Sequence, residues 1–510
     1  VNTNEPNLSS ALPSWKTSAL LGLGIAALAL LLRLPSMGES LWVDELHTAW
    51  VVSDGIQEVP ERAAMGNQAS LYFLIVWAWA QLTGLSEWSL RLPSLIGGVC
   101  CVALITMIAH RWSRDVWVAV AAGAIAAIDI DWIFFATEAR VYGFVQVIAV
   151  MQVVLAWQIV QHDRQRDWVF LVIATVGSFY FHYSTLLFSI CLAAFMWLLS
   201  DSPSQRHRLL KASGCVAVGV AIALTHLSSI FDRRENWAQF ITATSQNEWT
   251  RWVTALAALV PVALLASIYA RRWSAEAKRV VLIGGMVFLP IAAAWCTTAT
   301  GLAAIFFGRY LISSETLIPL LLVSLASLVP ARMWRIGGVI VSVVIAFGLR
   351  TPHSLGPMRG EDWRTVVASV ATDLENSTES TDVLIASGLI ESDVLRLPSK
   401  RQPPFMEKWE SYSLLPIESI YSLPEHAGQH FGLTYTRPGE ATPQYLHRSA
   451  PDRPIVLIVR GTRETADQVV KNFLNSVPDR KYEVTIPETQ AARVQWRVLL
   501  PQDVNADEGN

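Results

Sequence analysis

Apolar runs of about 20 residues recur from residue 17 to about residue 350, and they constrain the fold more than any other feature of the chain. A helix needs about 20 such residues to cross a hydrocarbon layer of roughly 30 Å. Within that layer each backbone N–H and C=O must be satisfied inside its own segment, so runs of this length become helices. Clear runs cover 17–35, 89–110, 116–135, 141–160, 209–229, 252–270, 279–298, 311–329 and 336–350. Only 16% of the chain is charged, against about 25% in soluble chains, and the deficit is confined to this region. Residues 351–510 read instead as a soluble domain. A net charge of -3 argues against a nucleic-acid partner. Cys100, Cys101, Cys191, Cys215 and Cys296 all lie in apolar runs, so no disulfide framework is implied. Residues 17–35 exceed a signal-peptide core and lack a small-residue cleavage site, which makes them an uncleaved anchor.

Two segments need a further argument. Residues 71–83 (LYFLIVWAWAQLT) are apolar but too short to cross and suit a helix at the interface. Residues 168–200 are too long for one span and tight for two. Basic clusters at Arg111/Arg114, Arg164/Arg166, Arg206/Arg208/Lys211, Arg271/Arg272/Lys278/Arg279 and Arg332/Arg335 mark the cytoplasmic loops under the positive-inside rule. An even number of spans must then separate neighbouring clusters. That makes 168–200 a two-span hairpin turning near His182-Tyr183-Ser184 and keeps 71–83 from crossing. The expected fold is a polytopic α-helical membrane protein of about eleven spans, with the N-terminus inside. Residues 1–350 form its membrane module, and a soluble α/β domain at 351–510 lies outside.

This topology gathers the unusual polar residues on the outer face. Asp44 and Glu45 follow the first span and are either solvated loop charges or a placed acid/base. Glu138 and Arg140 follow the third span, where an interfacial ion pair is the plain alternative to a functional site. Asp129 and Asp131 either line a polar cavity or mark an earlier end of that span, and the second is preferred. His182, flanked by Tyr180 and Tyr183, is a structural turn residue or a ligand-binding one. Arg309-Tyr310 offers an anchoring side chain or a guanidinium for a lipid phosphate. Arg233, Arg234 and Arg251 pose the same choice with less to distinguish them. Most of the 21 Trp form an interfacial belt. No Walker-type loop or Cys/His metal spacing supports nucleotide hydrolysis or zinc chemistry. The matched broken helices of a transporter are also lacking.

The ordered set of these motifs resembles the GT-C superfamily of membrane glycosyltransferases. The series runs through Asp44-Glu45, Leu71-Tyr72, Trp88-Ser89-Leu90-Arg91-Leu92-Pro93-Ser94, Glu138-Ala139-Arg140 with Tyr142, the Tyr/His turn and Arg309-Tyr310-Leu311. It is similar to the bacterial relatives of dolichyl-phosphate-mannose protein mannosyltransferases and to aminoarabinose transferases, over residues 15 to 350. Glu361-Asp362-Trp363-Arg364 adds to the similarity. The resemblance implies an essential acid in the first outer loop at Asp44, with Glu45 beside it. It implies a second polar site at Glu138, Arg140 and Tyr142, and a polyprenyl-phosphate sugar donor used with inversion. Asn67-Gln68-Ala69-Ser70 and Val141 depart from the pattern near the expected acceptor entrance.

Displacing phosphate from an anomeric carbon needs a base and cations, and phosphate leaves without a paired acid. Asp44 is the expected base, with Glu45 or Glu138 supporting it. Arg309, Tyr310, Arg140, Tyr142 and His182 are expected to bind substrate, the two arginines holding the lipid phosphate. The sequence names no cofactor, and the resemblance leaves open a divalent metal held by Asp44 and Glu138, since some GT-C enzymes use one. The partners implied are the lipid-linked donor, an acceptor lipid, glycan or protein, and membrane lipids of a bacterial inner membrane. A ligase or polymerase of lipid-linked glycans and a flippase for a lipid-linked saccharide are the alternatives. In the tail, helices are expected at 362–374 and 464–477, and strands at 382–387, 454–460, 482–486 and 494–500. The Pro- and aromatic-rich stretch 399–425 is expected to be loop.

Overall fold

The computed structural model describes residues 13–223, 241–269 except 243, 274–352, 358–387 except 378, 414–423, 430–432, 453–488, 491 and 493–502. Arg233, Arg234, Arg271, Arg272, the end of the 209–229 run and most of the 399–425 stretch lie outside these residues.

The helices follow the apolar pattern closely. In chain order they are α1 (Trp15–Arg33), α2 (Val43–Val52), α3 (Val59–Met65), α4 (Leu71–Thr83), α5 (Glu87–Ser113), α6 (Val116–Ile128), α7 (Ile130–Ala136) and α8 (Tyr142–His162). They continue with α9 (Gln165–Phe181), α10 (Thr185–Leu199), α11 (Pro203–Ala221), α12 (Gln246–Ala257), α13 (Val260–Tyr269) and α14 (Ala275–Ala299). Short α15 (Ile312–Glu315) and α16 (Ile318–Ala326) precede α17 (Arg332–Arg350). Among the described residues, five helices (α1, α5, α8, α14 and α17) are long and apolar enough to cross a membrane. Two bent pairs, α6 with α7 at 63° and α12 with α13 at 52°, raise the number to seven if each pair is one span. The chain is a multi-pass membrane protein. The expected hairpin at 168–200 is present as α9 and α10, turning at His182–Ser184.

The chain divides into two compact units, and the division cuts across the boundary drawn at residue 350 from sequence. One unit holds residues 1–35 and 91–355; the other joins 36–90 to 356–510.

In the membrane unit a single apolar core runs through α5, α6, α8, α10, α14 and α16. Arg33 ends α1 inside it, donating from Nη1 to the carbonyls of Ala29 at 2.9 Å and Ala127 at 3.0 Å. Helix α5 meets both α8 and the end of α7 through glycine. A Cβ on Gly143 would lie 2.3 Å from the Ser94 carbonyl oxygen, and one on Gly98 would lie 2.4 Å from Ala136 Cβ. Any larger residue would force these backbones apart, so the two glycines set where the 137–141 loop sits.

The α6–α7 break falls at Asp129, whose extended backbone interrupts the helix. Its Oδ1 then caps α7, accepting from the Asp131 N–H at 3.0 Å and the Trp132 N–H at 3.2 Å. The run therefore does not end early, as expected from sequence; it breaks and restarts around a buried carboxylate.

The second unit contains a five-stranded mixed sheet of order β2-β1-β3-β5-β4. Its strands are β1 (Asp382–Ala386), β2 (His430–Gly432), β3 (Ile455–Arg460), β4 (Tyr482–Thr485) and β5 (Val494–Pro501). Strand β1 runs parallel to β2 and β3, placing Leu384 beside Leu457, while β5 is antiparallel to β3 and β4. Every residue of β1 is buried. Such continuous apolar strands belong to sheets covered on both faces. Helix α18 (Trp363–Asn376) packs on β5, α19 (Leu415–Glu418) packs on α2, and α20 (Arg463–Ser476) packs on β3. The apolar face of α20, Ala466, Val470 and Phe473, meets Leu457 and Val459. The four strands and two helices expected here fall within a residue or two of their places, whereas β2 was not expected and α19 lies in the 399–425 stretch expected to be loop.

Candidate functional site

The two units each hold part of the expected site. In the second unit, Asp44 and Glu45 occupy the first turn of α2, where negative charge is favoured by the helix N-terminus. Asp44 is half-buried and Glu45 fully buried. Glu45 pairs with Arg359 at 3.3 Å, and both side chains are inaccessible. Its Oε2 also accepts from the Trp42 N–H at 3.4 Å, closing the start of the helix. Arg359 is held by Glu39 as well, at 3.6 Å.

Helix α2 is fixed further by Glu361. Its Oε2 accepts from the Val43 N–H at 3.0 Å and from Trp363 Nε1 at 2.9 Å, while Oε1 accepts from Arg460 Nε at 2.6 Å. The motif at 361–364 is thus the mount for the loop that carries Asp44. Tyr421 contributes too: its hydroxyl accepts from the Leu41 N–H at 3.0 Å and donates to Glu87 Oε1 at 2.7 Å. Burial and the Glu87 carboxylate push its pKa up, so it stays a neutral donor.

In the membrane unit, Glu138 and Arg140 are buried in the 137–141 loop. Ser94 Oγ donates to the Arg140 carbonyl, pinning the loop to α5. Tyr142 starts α8, and its ring lies 5.9 Å from that of His182. The Tyr310 ring lies 5.7 Å from His182 on the Gly308–Tyr310 turn. Burial pushes His182 down to about 4, and the positive charges of Arg309 and Arg140 push in the same direction. The imidazole is therefore neutral at physiological pH. Its Nδ1 accepts from the Ser184 N–H at 3.3 Å, with Ser184 Oγ 2.8 Å away. An accepting Nδ1 assigns the proton to Nε2. Ser184 Oγ also lies 3.2 Å from the Tyr310 carbonyl, joining the hairpin turn to the 308–310 turn. Arg309 lies over the Phe307 ring at 5.1 Å. Arg140, Tyr142, His182, Arg309 and Tyr310 are thereby brought together, two cations around a neutral donor framed by two phenols. That arrangement suits an anion with an apolar or sugar moiety attached.

Sequence reasoning missed an ion network in the same unit. Arg350 donates to Asp129 at 2.8 Å, to Asp131 at 2.6 Å and to Glu315 at 2.7 Å. Arg251 pairs with Asp131 at 3.1 Å and with Glu315. Asp129, Asp131 and Glu315 have oxygens close enough to share a cation, but the two guanidiniums already take that place. The available signals were acids inside apolar runs: Asp129 and Asp131 in 116–135 and Glu315 in 311–329.

Comparison with known proteins supplies the remaining context. Residues 67–231 match the family described as "Dolichyl-phosphate-mannose-protein mannosyltransferase". ArnT from Cupriavidus metallidurans bound to undecaprenyl phosphate superposes with a TM-score of 0.54, covering 95% of this chain and 98% of that one at 11% identity. The chain has the GT-C glycosyltransferase fold. The apo state of that ArnT aligns over the same shares, at 11% identity and a TM-score of 0.40. No curated protein matches the chain. The family match takes in Glu138, Arg140, Tyr142 and His182, whereas Asp44 and Arg309 lie beyond its ends.

Proposed function

We propose that the chain moves a sugar from a polyprenyl-phosphate carrier to an acceptor hydroxyl, with inversion at the anomeric carbon. The observation that carries this is the grouping of Arg140 and Arg309 around a neutral His182. It occurs in a fold shared with a protein solved with undecaprenyl phosphate. In the reaction the bond from the anomeric carbon to the phosphate oxygen breaks, and that oxygen keeps the electron pair. The acceptor oxygen forms the new bond and its proton passes to Asp44, the general base. Arg140 and Arg309 stabilise the departing phosphate, His182 Nε2 donates a hydrogen bond without adding charge, and Glu138 orients the substrate. Glu45, tied to Arg359, supports the turn that carries Asp44. The loop charges support an N-terminus in the cytoplasm and reaction at the outer face of a bacterial plasma membrane.

The test is transfer of radiolabelled sugar from a panel of polyprenyl-phosphate monosaccharides in membranes, comparing wild type with Asp44→Asn. A positioned base is worth about 10²–10⁴-fold, so the variant should lose at least that while expressing normally. Near-normal turnover removes Asp44 as base. Labelled lipid that crosses the membrane unconsumed replaces the transferase with a flippase.

A further inference from the structure

The proposed chemistry makes no use of the buried ion network, yet the network touches both halves of the anion site. Asp131 lies on α7, which runs directly into the 137–141 loop. On the same helix the Phe135 ring sits 5.1 Å from the Arg251 guanidinium and packs edge-on against Tyr142 at 4.9 Å. On the other side stands Gly308, the first residue of the turn bearing Arg309 and Tyr310. A Cβ there would lie 1.6 Å from Arg251 Nη1. Gly308 is glycine because the guanidinium occupies the space a side chain would need. Its N–H also donates to the Glu248 carboxylate, one turn before Arg251 on α12. Glu315, the second carboxylate on Arg251, sits in α15, immediately after that turn.

We infer that Arg251 is a positioning residue. It clamps the 308–310 turn to α7 and so sets the separation between Arg309–Tyr310 and Arg140–Tyr142. The role in turnover rests on the transferase proposed above; the clamp itself does not. An arginine suits this place because its planar fork reaches Asp131 and Glu315 at once, which a point-charge ammonium cannot do. The carboxylates of the network are already shared between two guanidiniums, so Arg251 acts by holding backbone rather than by meeting substrate.

Full-length protein in nanodiscs provides two separable readouts. The first is binding of undecaprenyl phosphate together with kcat and KM for Arg251→Lys. Lysine keeps the charge but cannot bridge both carboxylates, so the midpoint should fall by less than in Arg251→Ser. Turnover should fall about 100-fold, the scale expected for a misplacement of about 1 Å, with the acceptor KM little changed. Wild-type kcat in Arg251→Lys overturns the inference. The second readout is a melting cycle. Gly308→Ala should lower the midpoint in the wild-type background and leave it unchanged beside Arg251→Ser. An equal loss in both backgrounds shows that Arg251 does not hold the turn. Should Arg251→Ser fail to fold, Arg251→Lys with Gly308→Ala keeps the cycle, with a reduced loss expected. A wild type that binds no undecaprenyl phosphate sinks the proposed function, while the melting cycle still decides the clamp.

Discussion

Glu361→Gln separates the mount of the first loop from the chemistry it supports. The Glu361 side chain is almost inaccessible, and its oxygens serve three donors: Val43 N–H, Trp363 Nε1 and Arg460 Nε. A glutamine keeps one acceptor. The cheaper orientation turns its oxygen to the two buried donors and its NH₂ toward Arg460. The loss is then one charge-assisted bond, about 1.5–3 kcal/mol. Arg460 is 31% exposed and regains water, which favours the lower end, about 2 kcal/mol. For a unit of 150–250 residues each kcal/mol is worth about 2–4 °C, so the midpoint should fall by about 4–8 °C. Glu361→Ala also strands both buried donors, each costing about 1–3 kcal/mol, and should lose roughly twice as much or more. Differential scanning of purified protein in nanodiscs reads both variants. The Val43 N–H bond ends one residue before Asp44, so kcat in the transfer assay should fall with the midpoint. Variants within about 1 °C of wild type, or alanine no worse than glutamine, would refute the idea that Glu361 carries the loop.

His182 gives a pH test. Its folded pKa of about 4 lies below the ordinary 6.5, so the unfolded chain binds the extra proton first as pH falls. Stability contributed by the neutral ring is complete above about 6.5 and is lost as pH drops toward about 4, by about 3 kcal/mol at most. His182→Asn should flatten the stability profile between those limits, and an unchanged slope assigns the loss to other groups. Transfer activity in the wild type should show no histidine inflection near 6.5. With phosphate charge met by Arg140 and Arg309, chelation by EDTA should leave transfer within about twofold. A loss restored by a divalent ion would move that role to a metal.

The long apolar helices, the α9–α10 turn and the expected strands and helices of the tail were legible because each depends on local periodicity and on charges flanking the runs. The grouping of Arg140, His182 and Arg309 was expected only as a shared face, and the contacts between rings could not be read from spacing. The ion network was hidden for a plainer reason. Arg350 is 221 residues from Asp129 and 35 from Glu315, and no local pattern connects them. The apolar run at 116–135 carries two acids whose meaning depends on which cations reach them. Likewise LYFLIVWAWAQLT reads as an interfacial helix in isolation. In the unit that includes residues 356–510 it packs on α2 and α3, and α2 is in turn tied to Glu361 and Arg359, both remote in sequence.

The bond between Val43 and Glu361 joins residues 318 positions apart, and this gives the chain an order of assembly. At about 5–20 residues per second, translation takes roughly 15–65 s to travel from one to the other. Throughout that interval α2 has neither its Glu361 acceptor nor its Arg359 counter-ion. The turn that carries Asp44 would be completed only once residues 359–361 have been made, long after most of the membrane helices. A nascent chain that has not yet reached residue 359 would thus lack both of these partners of the α2 turn.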